Sequence, residues 1–286
     1  MKTKTTINYL GLIAAILSIS SWQSCTEKID IELDSSDIRC VIYGEITTDT
    51  MAHKVKITRS ADYFSNQPAD PIRGATVTIT NGTEIFQLNE SSTEPGCYFT
   101  SPDVYGTPGD TYTINVSNVD LLGNGNLTSY TASSKLNPVE KLDSIDAKYN
   151  NFGFWEVLIW AKEPAETEDY YMFKLHINDV LYTDSLSNLV IQDDILINGS
   201  YVNGASAFYL FEKDTLKPGD RLTVEICNIN KDFYHFIYEA QLMSSPQVPI
   251  FSGPPANVRT NFNNGAIGYF AAYSTARTIG FVRPQK

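Results

Sequence analysis

Short stretches in which apolar and polar residues alternate follow one another along the chain from about residue 38. Residues 54–58, 75–80 and 112–116 each carry Val, Ile or Tyr on one face and Thr, Lys or Asn on the other. A period of two, broken by Gly, Pro, Asn and Asp, is typical of antiparallel β-strands. Asn81-Gly82, a preferred hairpin dipeptide, joins the second stretch to residues 84–88. We therefore predict an all-β, mainly antiparallel fold.

Two β-sandwich-like domains are predicted from the spacing of these stretches. About seven short strands fit into residues 38–136, which suits an immunoglobulin-like sandwich. A second β-rich domain is predicted over residues 137–286, with strands at 154–161, 170–178, 207–212 and 221–228. Residues 154–160 are apolar on nearly both faces, so we expect a central strand that is covered on both sides.

One α-helix is predicted, over residues 231–243. Apolar residues recur there at helical spacing, and Asn230 precedes the segment as a candidate N-cap. The apolar stripe consists of Phe233, Phe236, Ile237, Ala240 and Met243. We expect this stripe to pack against the sheet.

One turn sequence occurs twice. Pro108-Gly109-Asp110 precedes an alternating stretch, and Pro218-Gly219-Asp220 precedes another. Pro followed by Gly favours a type II turn that starts the next strand. A duplicated domain would explain the repetition, and chance recurrence of a common turn is the alternative.

The first 25 residues have the pattern of an export signal. Two lysines precede an uncharged run over residues 9–19, which is too short to span a bilayer. A small residue then stands directly before Cys25, as bacterial lipoprotein processing requires. We predict a lipoprotein signal peptide over residues 1–24 and lipidation of Cys25. Trp22 stands where leucine is usual, and cleavage by an ordinary signal peptidase is the alternative.

An acidic segment follows the export signal. Residues 25–37 contain five acidic residues and one lysine, which predicts a flexible, solvated tether. The whole chain has a formal net charge of -12. This balance argues against nucleic acid and anionic membrane surfaces as partners.

Few residues offer catalytic or metal-binding chemistry. The three histidines, His53, His176 and His235, lack metal-ligand spacing, and the chain contains neither a phosphate-binding glycine loop nor a nucleophile elbow. Asp193-Asp194 and the acidic stretch 163–169 could form an acid/base pair or a cation site, but nothing in the sequence orients them. We predict no catalytic residue, no cofactor and no metal.

Three cysteines remain besides Cys25, at Cys40, Cys97 and Cys227. An odd number cannot all pair. We expect three small buried hydrophobic residues on strands, and a Cys40–Cys97 disulfide is the alternative.

Aromatic residues are abundant, with 17 Tyr and 14 Phe, and some lie beside glycine in residues 261–270. Exposed rings on a β scaffold can bind a sugar, a peptide or another protein. Core packing is the alternative for at least half of them.

Several short segments, in their order along the chain, resemble a family of Bacteroidota outer-membrane lipoproteins called domain of unknown function 4249. After Cys25 these are VIYGEI (41–46), VKITRS (55–60), IRGATVTI (72–79), GCY (96–98), PGDTY (108–112) and NGAIGYF (264–270). The resemblance extends to about Val282. It implies a lipid-anchored protein of the outer membrane, exposed at the cell surface or facing the periplasm, that accompanies a TonB-dependent β-barrel transporter. The segment around Gly74-Ala75 is also similar to the carboxypeptidase regulatory-like sandwich of such transporters.

From the residues and this resemblance we expect a non-enzymatic accessory lipoprotein. It would bind an unidentified small molecule, glycan or peptide, or dock on the transporter. A surface adhesion protein with sandwich domains as spacers is the alternative. A hydrolase that uses carboxylates such as Asp193 or Asp194 is a third hypothesis.

Overall fold

The computed structural model describes four ranges of the 286-residue chain, namely residues 37–61, 67–212, 215–244 and 258–284. The predicted signal peptide, Cys25 and all but the last residue of the predicted tether lie outside the described residues. Within the four ranges, no helix has the length and apolarity needed to cross a membrane.

Strands are the main secondary structure of the described residues, with one α-helix. The strands are β1 (Cys40–Thr47), β2 (Lys54–Arg59), β3 (Thr76–Thr80), β4 (Ile85–Glu90), β5 (Cys97–Phe99), β6 (Thr111–Asp120), β7 (Leu127–Lys135), β8 (Ser144–Tyr149), β9 (Trp155–Lys162), β10 (Tyr170–Ile177), β11 (Val180–Leu181), β12 (Val190–Asp193), β13 (Tyr201–Leu210), β14 (Arg221–Ile229) and β15 (Ile267–Phe281). The helix, α1, spans Lys231–Ser244. The prediction of an all-β, mainly antiparallel fold with one helix is confirmed.

Twelve strands form one large sheet and three form a second, smaller sheet. The large sheet has the order β11-β10-β14-β15-β1-β2-β5-β4-β3-β6-β7, and β12 adds to β10. The three-stranded sheet has the order β13-β9-β8. Among the strand pairs of the described residues, only β1 with β15 is parallel.

The first hydrophobic core joins β1, β2 and β15 to β3, β6 and β7. Ile42 and Ile57 from one side and Val77, Ile79 and Ile114 from the other are fully buried in it. The four of these side chains that belong to β2, β3 and β6 occupy the apolar faces of alternating stretches, which is why the sequence pattern located those strands.

The second core lies between the three-stranded sheet and one face of β10 and β14. Val157 from β9 meets Leu175 and Val224 there. The opposite face of β10 and β14 is covered by α1, through Phe233 and Ile237. The backbone N–H of Phe233 donates to Oδ1 of Asn230 at 2.8 Å, so the predicted cap is confirmed.

The two halves predicted on either side of residue 136 share a strand, and the described residues after Asp37 group into one compact unit. The cause is β15. Its first half pairs with β1, from Val41↔Ile267 to Thr47↔Tyr273, and its second half pairs with β14. One strand therefore belongs to both halves of the sheet.

Gly268 makes the parallel pairing possible. It has φ of +106°, and a Cβ on it would lie 2.0 Å from the carbonyl oxygen of Ile42. Only glycine fits such a close approach.

The prediction that residues 154–160 form a strand covered on both faces is wrong. In β9, buried residues alternate with partly exposed ones, and Leu158 and Trp160 lie on the more open face. The strand that is buried on both faces is β14, because α1 and the three-stranded sheet cover its two sides.

The repeated Pro-Gly-Asp turn has the same geometry at both places. Gly109 and Gly219 have φ of 98° and 95°. At the first turn, the N–H of Gly109 donates to the carbonyl of Leu136, and the N–H of Leu136 donates to the carbonyl of Asp110. At the second turn, the N–H of Gly219 donates to the carbonyl of Val282, and the N–H of Val282 donates to the carbonyl of Asp220. The turns thus fasten corresponding strand pairs, β6 with β7 and β14 with β15.

Candidate functional site

Four aromatic side chains form an exposed cluster at one end of the three-stranded sheet. We call Phe152, Phe154, Tyr209 and Phe211 the aromatic patch. Phe154 is its centre, with ring centroids 6.3 Å from Phe152, 5.7 Å from Tyr209 and 5.5 Å from Phe211. Phe152 and Phe211 are 88% and 75% exposed.

The position of the patch follows from strand pairing and one turn. Antiparallel pairing of β13 with β9 sets Leu210 beside Trp155, so Phe211 emerges next to Phe154. In the β8–β9 turn, Oδ1 of Asn150 accepts hydrogen bonds from the N–H groups of Phe152 and Phe154. Rings fixed by a sheet and a bonded turn form a largely preorganised contact surface.

A second feature is a group of three buried acidic side chains, Glu163, Asp169 and Asp194, which we call the carboxylate cluster. One carboxylate oxygen from each lies within 4.8 Å of the others. The three residues are 5%, 5% and 1% exposed.

Strand pairing brings the carboxylate cluster together at one end of β10. Asp169 immediately precedes β10 and Asp194 immediately follows β12, and these strands pair with Tyr170 opposite Asp193. The N–H of Asp169 donates to Oδ2 of Asp194 at 2.9 Å. Glu163 immediately follows β9, and its N–H donates to the carbonyl of Ser200. The cluster therefore lies where the chain passes from the three-stranded sheet to the large one.

Neutral groups surround the carboxylate cluster. The hydroxyl of Tyr171 donates to Oε1 of Glu163 at 2.9 Å, and the side-chain amide of Asn198 donates to Oδ2 of Asp194 at 3.2 Å. Burial raises the pKa of Glu163 to about 7, and the neighbouring Asp169 and Asp194 contribute to the increase. None of the ion pairs in the described ranges includes a member of the cluster.

A third feature is a set of ion pairs around the buried Glu225 of β14. Nζ of Lys174 lies 3.2 Å from one of its oxygens and Nη2 of Arg277 lies 2.6 Å from the other. Arg277 also donates to both carboxylate oxygens of Asp49. We call Glu225, Lys174, Arg277 and Asp49 the charged network.

The sequence-predicted residues lie in different places. Cys40, Cys97 and Cys227 are free thiols buried on β1, β5 and β14, which confirms the expectation of small buried residues and leaves the Cys40–Cys97 disulfide unformed. Burial raises the pKa of Cys40 to about 12 and that of Cys227 well above its ordinary value. Neither thiol is thereby suited to act as a nucleophile at neutral pH.

The histidines lie on separate elements. His53 is buried before β2, His176 is on β10 and His235 is on α1. The aromatic segment 261–270 is mostly core, because Phe262, Tyr269 and Phe270 are all at most 7% exposed. Sequence reasoning missed the exposed aromatic patch. The turn Asn-Asn-Phe-Gly at residues 150–153 contained a signal for it, because a phenylalanine in a short polar turn is expected to be exposed.

Comparison with known families settles the family. The sequence matches the family described as domain of unknown function, DUF4249, over residues 26–279. The chain belongs to the DUF4249 family. The match begins directly after Cys25, and its end falls within β15. No curated protein matches this DUF4249 chain in sequence.

Two solved structures that match this DUF4249 chain share little sequence with it. A crystal structure of the FN1–FN3 domains of chicken CNTN1 is 14% identical, covers 67% of this chain and has a TM-score of 0.28; the present chain spans 61% of that chain. A chain of a cytokine receptor complex is 9% identical and has a TM-score of 0.24. The match covers 86% of the present chain and 97% of that chain.

Proposed function

We propose that this protein is a non-enzymatic, lipid-anchored accessory component of an outer-membrane TonB-dependent transport system, and that it docks or binds ligand through the aromatic patch. The observation that carries the proposal is the exposure of three of the four patch rings. Aromatic rings are enriched where proteins bind partners, because each ring contributes a large apolar area at a small cost in side-chain entropy.

The surroundings of the patch suit a specific contact. Glu156 of β9 comes two residues after Phe154 in the sequence. It pairs with Lys148 of β8 on one side and with Tyr209 of β13 on the other. Charged and hydroxyl groups next to an apolar centre match the anatomy of an interface, with an apolar core and a polar rim.

Co-purification from detergent extracts of the native cells tests docking. We expect the wild-type chain to retain a β-barrel membrane protein, and the double variant Phe152→Ala/Phe211→Ala to lose most of it. Tyr105→Ala is the matched control, since Tyr105 is a 56% exposed aromatic residue outside the patch. Isolation of the wild type without any β-barrel partner would contradict docking on a transporter.

A deletion strain separates transport from adhesion. Loss of growth on one nutrient supports uptake, whereas loss of attachment to surfaces with normal growth supports the adhesion alternative. Complementation with the patch double variant then assigns the phenotype to these rings or to another surface.

The lipid anchor has its own test. Cells labelled with a radioactive fatty acid should yield a labelled mature protein, and Cys25→Ser should abolish the label. An unlabelled wild-type band would remove the anchor from the proposal while leaving the patch experiment valid.

A further inference from the structure

We propose that Glu163, Asp169 and Asp194, together with the side-chain oxygen of Asn228, form a calcium site that links the three-stranded sheet to the large sheet. The site is separate from the aromatic patch, and the proposal does not rest on the proposed function.

The first observation is the geometry of the carboxylate cluster. Three buried carboxylates converge within 4.8 Å, and they come from chain segments that adjoin β9, β10 and β12. Buried like charges repel each other unless a proton, a basic side chain or a metal ion lies between them. In the described part of the chain, the ion pairs provide no basic side chain for this purpose.

The second observation is independent of the acidic residues. Asn228 is 4% exposed, and its Oδ1 is buried without a hydrogen-bond donor. The Nδ2 of the same amide donates to Oδ1 of Asp169 at 2.7 Å and to the carbonyl of Pro138 at 2.8 Å. Exchanging the amide oxygen and nitrogen would set an oxygen against these two acceptors, so the orientation is fixed.

Asn228 therefore holds an unsatisfied acceptor on the amide that contacts Asp169. A buried amide oxygen without a donor is destabilising, and coordination of a cation would satisfy it. Carboxylate and amide oxygens are the ligands that calcium takes in proteins.

The number and type of these ligands favour calcium over magnesium. Calcium accepts six to eight oxygen ligands in flexible geometry, whereas magnesium usually binds through one or two carboxylates and keeps several waters. Three carboxylates and one amide oxygen supply about half of a calcium shell, and water can complete it.

A route for the ion exists. A cavity of about 410 Å³ reaches Asp169 and Asn228 from the surface, and its charged lining also includes Glu140, Glu166, Glu168 and one basic residue, Lys135. An opening rich in carboxylates raises the local concentration of cations. Binding at its inner end would hold the β9–β10 connection to the end of β12.

Binding can be measured with calcium and with terbium, a luminescent substitute for calcium. The purified full-length chain in detergent is freed of metal with EDTA and titrated with each ion. Tyr171, whose hydroxyl bonds Glu163, should sensitise terbium emission on excitation of tyrosine. We expect one ion per chain, competition of calcium with terbium, and a melting temperature that rises by about 5 to 10 °C at a calcium concentration about 100-fold above Kd.

The decisive variant is Asp194→Asn, and its matched control is the neighbouring Asp193→Asn. Asp193 has the same side chain but is not part of the cluster. Loss of a carboxylate ligand should weaken binding about tenfold or more, whereas Asp193→Asn should bind as the wild type does. If Asp194→Asn does not fold, Glu163→Gln serves instead, because its amide oxygen can still accept the bond from Tyr171.

Three results would overturn the proposal: no ion bound by the folded wild type, equal binding by the wild type and a folded Asp194→Asn or Glu163→Gln variant, or calcium binding that Asp193→Asn weakens equally. Each of these results would mean that the cluster is not a specific calcium site.

Discussion

The carboxylate cluster and the charged network are two solutions to the burial of acidic side chains in one protein. In the charged network, Glu225 is almost completely buried, and Lys174 and Arg277 reach it from neighbouring strands. Because the chain itself supplies the opposite charge, this carboxylate needs nothing from solution.

The carboxylate cluster lacks such partners. Its three acids are as buried as Glu225, yet their hydrogen-bond donors are hydroxyl, amide and backbone N–H groups. Neutral donors stabilise a carboxylate but leave the repulsion between neighbouring carboxylates in place. The difference indicates that the network is complete within the chain, whereas the cluster is completed by an ion.

The largest expected effect comes from removing the central charge of the network. Glu225→Gln leaves Lys174 and Arg277 facing a neutral group, and breaking a buried ion pair costs about 3 kcal/mol. Urea denaturation followed by circular dichroism should find that loss with calcium and without it. An unchanged free energy of unfolding would mean that the network does not stabilise the fold.

The same substitution in the cluster should have the opposite sign when calcium is absent. Glu163→Gln removes one of three repelling carboxylates, so the metal-free variant should be more stable than the metal-free wild type by about 1 kcal/mol. With calcium present the order should reverse, because the variant has lost a ligand. Urea denaturation in EDTA and in calcium tests both signs. Destabilisation under both conditions would contradict the inferred difference between the cluster and the charged network.

A pH-dependent effect is expected at the edge of the network. Hydrogen bonds from Arg277 lower the pKa of Asp49, so the folded state favours its ionised form. This stability is present above the ordinary aspartate pKa of about 3.9 and is lost as the pH falls through the lower folded-state value. Asp49→Asn should therefore cost about 1 kcal/mol at pH 7 and almost nothing near pH 2. Equal losses at both pH values in thermal melts would assign the effect to packing instead.

The smallest effect is expected where water surrounds the ion pair. Arg221 lies 2.9 Å from Asp179, and their side chains are 40% and 69% exposed. Asp179→Asn should change the free energy of unfolding by less than about 0.5 kcal/mol. A larger change would mean that exposure alone does not separate this pair from the buried network.

Local patterns predicted the local parts of the fold. Alternation located β3 and β6, Asn81-Gly82 located the hairpin between β3 and β4, and Asn230 located the start of α1. Each of these features depends on residues only a few positions apart, so a short window contains the whole cause.

The long strand β15 could not be predicted in this way. It contains Ala, Ser and Gly on faces that are nearly all buried in its first half, so it has no clear alternation. Its strand conformation is imposed by β1 on one side and β14 on the other. Tertiary pairing overrides weak intrinsic β preference in such a segment.

The candidate sites divide in the same manner. The sequence singled out Asp193-Asp194 and the acidic stretch 163–169 without orienting them, and it gave no reason to add Asn228. Pairing of β10 with β12 and β14 assembled these residues. Asp193, the last residue of β12, stays half-buried, whereas Asp194, directly after the strand, is buried.

The sequence by itself determined the β class, the turns, the helix with its cap and the membership of DUF4249. Only the tertiary structure decided that residues 38–286 form one unit, that three distant acids share a buried position, and that the exposed rings gather around Phe154 rather than near the C-terminus. The physical reason is the sequence separation between the residues that interact. Alternation and capping act over a few residues, whereas sheet order and burial depend on partners more than a hundred positions apart, as Ile42 and Gly268 are.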